Sequence, residues 1–383
     1  MLDKKILTQK IKQEAARLGF SLVGVTSPDP PDHLDFFQDW LSKGFHASMD
    51  WIASERSLER RSDPRAILPE CKSILILGSP YPVPRGNLKG GNIASYALNL
   101  DYHEVLLEKM KFLVDFLEEN VGHPVPNRCY TDTGPILERE LAMRAGLGWI
   151  GKNTTLINKE LGSYFFLAEI LLGIELVVDS PIAESFCGSC TLCLDTCPTG
   201  ALQAPYTLDA NRCISYLTIE HKKEIPLDLR PLMGDWIYGC DICQIVCPWN
   251  KPGAESQHIL EELQPRTELL NVNLATELDL TQEEFSSRYQ GSPVKRAKRR
   301  GYLRNVAVVL GNLKDSAALP VLASALEDQE PLIRSHAAWA LGEIGGENVQ
   351  KLLTETFQGE ENPQVKEEIL RALGNLSKSN PAG

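Results

Sequence analysis

The sequence contains no long hydrophobic run. No apolar stretch approaches the roughly eighteen residues that a membrane-spanning helix needs, so no contact with a membrane is expected. The first twenty residues lack the apolar core and small-residue cleavage site of a secretory signal, and they lack a twin-arginine pair. These features predict a cytoplasmic protein, and nothing in the sequence argues against a monomer.

Nucleotide-binding signatures are missing as well. The glycine-rich segment GLGWIGKN at 146–153 is neither a Walker loop nor a GxGxxG fingerprint, so it predicts no nucleotide. Positive charge is scarce, since 39 Lys and Arg residues stand against 51 Asp and Glu residues, for a formal net charge of −12. That balance argues against general affinity for nucleic acid, although an average says nothing about local patches.

The length of 383 residues exceeds what one ordinary core holds and predicts two or three domains. Residues 1–180 alternate helical patterns with strand-like runs at Ser73–Leu77 and Tyr164–Leu172, which predicts an α/β domain. Residues 181–252 are rich in cysteine and turn residues, and residues 253–383 are helical. The fold class is therefore α/β, followed by a ferredoxin-like segment and an all-α region.

The helical region is repetitive. RNVAVVLGNL at 304–313 returns as RSHAAWALGEI at 334–344 and as KEEILRALGNL at 366–376. The Leu-Gly pair falls at 310, 341 and 373, a period of 31 to 32 residues, with a second helical pattern in between. Helix pairs that recur at this period predict a small HEAT-like solenoid.

Cysteine is the most informative residue type. Eight of the ten cysteines lie between positions 187 and 247, and the run CGSCTLCLDTCP has the C-x2-C-x2-C-x3-C-P spacing of bacterial ferredoxins. In such runs three thiolates hold one cubane and the fourth reaches the other cubane. The second run, CDICQIVCP, is one cysteine short, and Cys213 is the natural replacement. Two [4Fe–4S] clusters are predicted, one on Cys187, Cys190, Cys193 and Cys247, the other on Cys197, Cys213, Cys240 and Cys243.

Two other uses of these cysteines fit less well. Structural zinc favours paired C-x2-C knuckles, and disulfides need an oxidising compartment. The isolated Cys71 and Cys129 are expected to be buried as small hydrophobic residues.

A basic segment precedes the repeats. VKRAKRRGYLR carries Lys295, Arg296, Lys298, Arg299, Arg300 and Arg304 without one acid. Charge runs are usually solvated helix faces, but such a density of like charge also suits the phosphates of nucleic acid. Lys222, in the smaller basic group 221–223, adds a little to that second interpretation.

Asp132 is the candidate for chemistry in the segment TDTGPILERELAMRAGLGWIGKNT at 131–154. An acid just before a helix is most often an N-cap. It could instead act as a general acid if burial raised its pKa.

Five ordered motifs together resemble the epoxyqueuosine reductases: DTGPILERELAMRAGLGWIGKNT, CGSCTLCLDTCPTGAL, RCISYLTIEH, YGCDICQIVCPWN and GSPVKRAKRRGYLRNVAVVLGN. The resemblance spans essentially the whole chain. It implies reduction of epoxyqueuosine to queuosine in the anticodon loop of tRNA, the last step of queuosine biosynthesis. Cob(I)alamin would be fed by the two clusters, and an external low-potential donor would supply the electrons.

The resemblance also implies a division of labour. Residues 1–180 would be a nitroreductase-like module binding cobalamin base-off, since no D-x-H-x-x-G motif supplies a cobalt ligand. Residues 181–252 would hold the clusters, and residues 253–383 would bind tRNA. Asp132 would be the proton donor. The residues implied to contact cobalamin are Arg61, Asp132, Lys152, Asn153, Ser215 and Asp241. The residues implied to contact tRNA are Lys222, Lys295, Arg296, Lys298, Arg299 and Arg300.

One position departs from the family pattern. Ala94 stands near the place where some members carry a cysteine, so a step that needs a thiol there is in doubt. Two rival functions remain at this point, a corrinoid reductive dehalogenase and a ferredoxin-type electron carrier without catalysis of its own.

Overall fold

The computed structural model describes residues 3–84, 91–182, 184–250 and 259–379. The strands are β1 (Leu22–Thr26), β2 (Ser73–Pro80), β3 (Asn92–Ile93), β4 (Asn127–Tyr130), β5 (Trp149–Ile150), β6 (Leu156–Ile157), β7 (Phe165–Leu172), β8 (Leu202–Ala204), β9 (Thr207–Leu208) and β10 (Trp236–Tyr238).

The α-helices are α1 (Lys4–Arg17), α2 (Leu34–Ser42), α3 (Asp50–Ala53), α4 (Glu55–Ser62), α5 (Tyr102–Val121), α6 (Glu138–Arg144), α7 (Leu192–Thr196), α8 (Ile214–Ile219), α9 (Ile242–Ile245), α10 (Leu274–Leu278), α11 (Gln282–Arg288), α12 (Lys298–Leu313), α13 (Leu319–Ala325), α14 (Pro331–Ile344), α15 (Glu347–Gly359) and α16 (Pro363–Ser379). Along the described residues, no helix combines the length and the apolar character needed to cross a bilayer.

The chain forms two compact units, each built from separate segments. Unit 1 consists of Met1–Pro84, Asn99–Asn211 and Asp241–Pro265, and unit 2 consists of Arg85–Leu98, Arg212–Cys240 and Arg266–Gly383. The two units are defined by which residues pack together. The segments 1–180, 181–252 and 253–383 were instead proposed from the function expected of each, so the two divisions need not coincide.

A four-stranded sheet in the order β1-β2-β7-β4 is the centre of unit 1. Both strand-like runs of the sequence analysis lie in it, as β2 and β7. Every neighbouring pair is antiparallel, so this region stacks helices on an antiparallel sheet rather than alternating them with parallel strands. All of β2 is buried, which explains its continuous apolar sequence.

Helices cover both faces of the sheet. Ile74, Ile76 and Leu171 form a core cluster with Leu141 of α6, while α5 packs on β4 and β7. Side chains alternate between faces along a strand, so Phe166, which stacks on Tyr102 of α5, belongs to the opposite face from Leu171. The end of β4 thus lies between the first turns of α5 and α6, and this position is where the candidate active site forms.

Unit 2 contains the stacked helix pairs. Helices α12, α14 and α16 pack side by side, with α13 against α14 and α15 against α16, as the repeat predicted. A Cβ on Gly311 would come within 2.6 Å of the Trp339 ring, and one on Gly342 within 2.7 Å of the Ala372 Cβ. The repeated Leu-Gly pairs therefore mark places where neighbouring helices approach too closely for a side chain. At Gly374 a Cβ would meet no described atom within 4 Å.

Candidate active site

Four cysteine thiols surround one cavity in unit 1. They belong to Cys187, Cys190, Cys193 and Cys247, and the cavity has a volume of about 340 Å³. Burial raises the pKa of the Cys193 and Cys247 thiols, and the other cysteines nearby raise it further. No three His, Cys, Asp or Glu side chains among the described residues are grouped to hold a single metal ion. Four thiol donors around a space of this size fit a polynuclear iron–sulfur cluster.

The remainder of the cavity wall is mostly apolar, with Phe186, Leu192, Pro248 and Trp249 among its residues. Trp249 packs edge-on against the buried Trp149, with ring centroids 4.9 Å apart. An apolar wall lowers the local dielectric and limits access of water, two of the factors that set the reduction potential of a cluster.

Lys152 and Asn153 support the cysteine loops. The Lys152 Nζ donates hydrogen bonds to the carbonyl oxygens of Gly188, at 2.7 Å, and Cys190, at 2.9 Å. The Asn153 side chain donates to the Cys243 carbonyl oxygen at 3.3 Å. Both residues line the cavity of the first cysteine set. The Lys152 ammonium group and the Asn153 amide N–H thus bind the loops that carry the thiols.

The second predicted cysteine set is divided in sequence between the units. Cys197 and Cys243 belong to unit 1, and Cys213 and Cys240 belong to unit 2. Its ligand assignment therefore stays a prediction. The expectation for the isolated thiols is confirmed for Cys71, which is buried, whereas Cys129 on β4 is partly exposed.

Asp132 follows β4 at the end of the sheet and adopts a left-handed backbone conformation, with φ of 57°. Non-glycine residues in this conformation are uncommon and cluster at functional sites. Helix α6 begins only at Glu138, and its N-cap residue, Leu137, makes no side-chain cap. The N-cap interpretation of Asp132 is therefore wrong.

Two side chains from the first turn of α5 hold the Asp132 carboxylate. The Tyr102 hydroxyl donates to Oδ2 at 2.7 Å, and His103 Nε2 lies 3.7 Å from the same oxygen. The other His103 nitrogen, Nδ1, is 2.6 Å from Asp101 Oδ1. Burial lowers the His103 pKa, but hydrogen bonds with Asp101 and Asp132 outweigh it and raise the pKa to about 9. The ring is therefore an imidazolium at neutral pH.

The same contacts keep Asp132 ionised. Desolvation raises its pKa, but the His103 and Tyr102 hydrogen bonds outweigh that and hold the pKa below its usual value. The raised pKa that a general acid needs is therefore not reached in the chain alone. The side chain is 66% exposed, and desolvation still acts on it, as expected for a carboxyl in an open recess. A group that covers this recess removes water and favours the protonated form.

Two further carboxyls lie behind Asp132, and the sequence analysis missed both. Glu169 on β7 is fully buried, and neither carboxyl oxygen has a hydrogen-bond partner among the described residues. Glu138 opens α6, and its buried Oε1 is likewise unpartnered there. Burial and the neighbouring Asp132 raise the Glu138 pKa to about 8, and burial raises that of Glu169 well above its usual value. A single acid in the apolar run YFFLAEILL was the available signal for Glu169.

The other predicted cofactor residues are placed as follows. Arg61 on α4 is half-buried, donates to the Ser57 hydroxyl and adds positive potential at Glu138. Asp241 is buried just before α9 in unit 1, and Ser215 is part of α8 in unit 2.

The basic segment of unit 2 contains no acid in its sequence, but acids from other parts of the unit pair with its arginines. Arg296 pairs with Glu220 at 2.7 Å, Arg299 pairs with Asp328, and Arg300 donates to the Lys222 carbonyl oxygen. Among the described residues, the exposed side chains of Lys295 and Lys298 make no hydrogen bond or ion pair. Positive charge available to a polyanion is therefore concentrated on these two lysines and the more exposed arginines.

Arg304 does not belong to this surface. It is fully buried and donates to the carbonyl oxygens of Leu217, His221 and Lys223. Lys222 is half-buried and donates to the carbonyl oxygens of Ile219 and Arg296. Arg304 therefore stabilises unit 2, and counting it with the surface charges was wrong.

Comparisons with known proteins agree with this site. The family model "Epoxyqueuosine reductase QueG, DUF1730" matches residues 61–133, the model "4Fe-4S double cluster binding domain" matches 186–250, and the HEAT-repeat model matches 298–374. The epoxyqueuosine reductase of Pseudomonas aeruginosa is 41% identical over 355 residues, covering 90% of this chain and 96% of that protein. The Escherichia coli enzyme is 40% identical over 349 residues, covering 89% and 90%.

Solved structures give the same result. A crystal structure of an epoxyqueuosine reductase with an epoxyqueuosine-modified tRNA-Tyr stem loop matches with a TM-score of 0.90 and 35% identity, covering 97% of this chain and 99% of that one. A Bacillus subtilis epoxyqueuosine reductase, whose catalytic aspartate loop is swung out of its active site, matches with a TM-score of 0.88 and 34% identity over 97% and 99% of the two chains.

Proposed function

Because the chain belongs to the epoxyqueuosine reductase family, we propose that it reduces epoxyqueuosine to queuosine in the tRNA anticodon loop, with two [4Fe–4S] clusters and cobalamin as cofactors. The observation that carries the proposal is the exposed Asp132 carboxyl, held by Tyr102 and His103 at the end of β4 in the unit that also contains the Cys187 cavity. The reaction needs an acid that protonates the leaving oxygen and a bound electron carrier, and these two features of the unit can supply them.

The reaction has a simple balance. Both C–O bonds of the epoxide break, a C=C double bond forms, and the oxygen leaves as water after the uptake of two electrons and two protons. Iron–sulfur clusters pass electrons one at a time, and cobalamin supplies a strongly reducing, nucleophilic cobalt centre. The electrons come from an external low-potential donor.

The residues present fit cobalamin bound base-off, which needs no histidine on cobalt. The Asp132 carboxyl is 66% exposed, so a cofactor can reach it, and the buried stacked rings of Tyr102 and Phe166 support it from the protein side. We assign residues 1–180 as the nitroreductase-like module that holds the cofactor. Asp132 contacts it directly in this assignment, as do Arg61, Ser215 and Asp241, while Lys152 and Asn153 act through the cysteine loops.

Asp132 is the proton donor in this proposal. When cofactor and substrate cover the recess, the carboxyl loses water and takes up a proton, which it then delivers to the oxygen on which charge develops. Tyr102, by a hydrogen bond, and His103, by an ion pair, both contact Oδ2 and so fix the direction of the carboxyl, and Oδ1 is the oxygen assigned to the substrate.

Omission of one cofactor tests the proposal. Protein reconstituted anaerobically with iron and sulfide should convert an epoxyqueuosine-containing anticodon stem loop only when cobalamin and a low-potential reductant are both present. Product is measured by mass spectrometry of the digested RNA. Equal conversion without cobalamin would overturn the assigned chemistry, and absence of any conversion would favour an electron carrier.

Two exposed lysines of unit 2 should contribute to tRNA binding. Replacing Lys295 and Lys298 together by Ala should weaken stem-loop binding and reduce the slope of log Kd against log salt by up to about 2, since each phosphate contact contributes about 0.9. Fluorescence anisotropy across a salt series measures both. The control is Lys351→Ala on α15, an exposed lysine of the same unit outside the basic segment. An unchanged slope in the double variant would assign the segment to a solvated surface.

A further inference from the structure

Glu138 and Glu169 are buried acids that the proposed reaction has not used. Glu169 has no hydrogen-bond partner for either oxygen among the described residues, and Glu138 has none for Oε1. A carboxylate buried without partners is strongly disfavoured, so such a group keeps its proton. Glu169 therefore keeps its proton in the neutral chain, and the buried Oε1 together with the neighbouring Asp132 carboxylate favours the protonated form of Glu138 as well.

The fold places these two acids next to Asp132. Glu169 lies directly opposite Tyr130 in the β4–β7 pairing, and Asp132 follows Tyr130 by two residues. Glu169 shares the sheet face of Leu171, which α6 covers, and Glu138 is the first residue of α6. The Asp132 backbone lies close enough to the Glu138 carboxyl to lower the pKa of that carboxyl. Exposure falls from Asp132, at 66%, through the partly buried Glu138 to Glu169, at 0%.

The stoichiometry of the reaction requires a second proton. Water leaves with two protons taken up from the site, and the Asp132 carboxyl holds at most one at a time. Once cofactor and substrate cover the recess, bulk water is a poor source. A second acid within reach of Asp132 is needed for the reaction to finish.

We propose that Glu138, with Glu169 behind it, is the proton store that reprotonates Asp132 within a turnover. This inference rests on the proposed function. After Asp132 has given its proton to the substrate oxygen, Glu138 passes its own proton to the Asp132 carboxylate, and one negative charge moves from Asp132 to Glu138. Glu138 regains a proton from solvent after the product leaves. Glu138 and Glu169 act through Asp132 and touch no substrate.

The surrounding charges favour this route. Arg61 and Arg139 both lower the energy of an ionised Glu138, whereas burial and Asp132 raise it. His103, on the other side of Asp132, is the alternative donor. Its Nε2 proton faces Asp132, whereas its Nδ1 is hydrogen-bonded to Asp101 at 2.6 Å, and losing the Nε2 proton would leave the Asp101 carboxylate beside a neutral ring. His103 is therefore better suited to hold the Asp132 carboxylate than to supply protons.

The activity test uses Glu138→Gln, which keeps the shape of the side chain and removes the proton. The store is full at low pH and empties as pH rises through about 8, so native kcat should fall through that range. The variant should lose about 10²-fold in kcat at pH 7, with little change in KM, and its descending limb should move up toward the His103 pKa of about 9. Native kcat and an unchanged pH profile in Glu138→Gln would overturn the inference while leaving the proposed function intact.

Glu140→Gln is the matched control. Glu140 is more deeply buried than Glu138, lies two residues further along α6, and accepts hydrogen bonds from the backbone N–H groups of Asp32 and His33. Its replacement should leave kcat and the pH profile unchanged. An equal loss in this control would trace the effect to α6 as a whole and overturn the assignment to Glu138.

A second measurement does not depend on activity. Infrared difference spectra of the full chain, recorded between pH 6 and 10, should show a carboxylic-acid carbonyl band that disappears near pH 8 and is missing in Glu138→Gln. A second band, absent in Glu169→Gln, should persist to higher pH because Glu169 is the more deeply buried. If both bands are absent at pH 7, the two groups are ionised and store no proton, and the inference fails whether or not the chain reduces epoxyqueuosine.

Discussion

Asp132→Asn should lower kcat for epoxide reduction about 10²–10⁴-fold, the range that general acids contribute to catalysis. The amide has the shape of the carboxyl and still accepts a hydrogen bond from Tyr102, so the fold and the recess should be preserved. It has no proton of suitable acidity to deliver to the oxygen, so C–O cleavage must leave an unprotonated oxyanion. The measurement is steady-state conversion of an epoxyqueuosine stem loop by anaerobically reconstituted protein.

Two observations make the Asp132 result specific. The visible spectrum of the variant should keep its iron–sulfur and corrinoid absorption, because the substitution replaces a carboxyl and removes no cysteine ligand. Asp115→Asn, on the exposed side of α5 in the same unit, should retain native kcat. Full activity in Asp132→Asn would show that another group protonates the oxygen and that Asp132 is not the proton donor.

Cys247→Ser should remove one cluster and abolish turnover. Cys247 is one of four thiols around the cavity of about 340 Å³, and a serine hydroxyl is a far poorer ligand for iron than a thiolate. Iron content should fall from about eight atoms per chain, two cubanes, to about four. With one of the two clusters missing, electron transfer to the reaction site would be interrupted, so conversion of the stem loop should fall to background.

Cys129→Ser is the control for the cluster prediction. Cys129 is a partly exposed cysteine of β4 in the same unit and belongs to neither predicted cluster. It should keep the full iron content and native activity. Iron content and electron paramagnetic resonance spectra are measured on both variants. An unchanged iron content in Cys247→Ser would exclude that residue as a ligand.

The sequence predicted chemistry that depends on local spacing. Cys187, Cys190 and Cys193 lie within seven consecutive positions, so one short loop brings them together whatever the remainder of the fold does. The helix pairs were predicted for a similar reason, because the Leu-Gly repeat records contacts between neighbours in the sequence.

Properties that depend on distant partners were not predictable. Asp132 resembled an N-cap because nothing in its segment reveals that Tyr102, 30 positions earlier, would hold its carboxylate. The basic segment looked free of acids, yet Glu220 and Asp328 lie 76 and 29 positions from their arginine partners. Glu169 was visible as a lone acid in an apolar strand, but its neighbours follow from the β4–β7 register.

The packing around the glycines of the helix pairs indicates which helix of unit 2 should unfold first. At Gly311 and Gly342 the next helix sits directly on the backbone, whereas at Gly374 no described atom lies within reach of a Cβ. Stacked repeats gain stability mainly from nearest neighbours. Among the described residues, α16 packs on α14 and α15, whereas α14 packs on α12, α13, α15 and α16. Local unfolding of unit 2 should therefore begin at α16 and proceed toward α12.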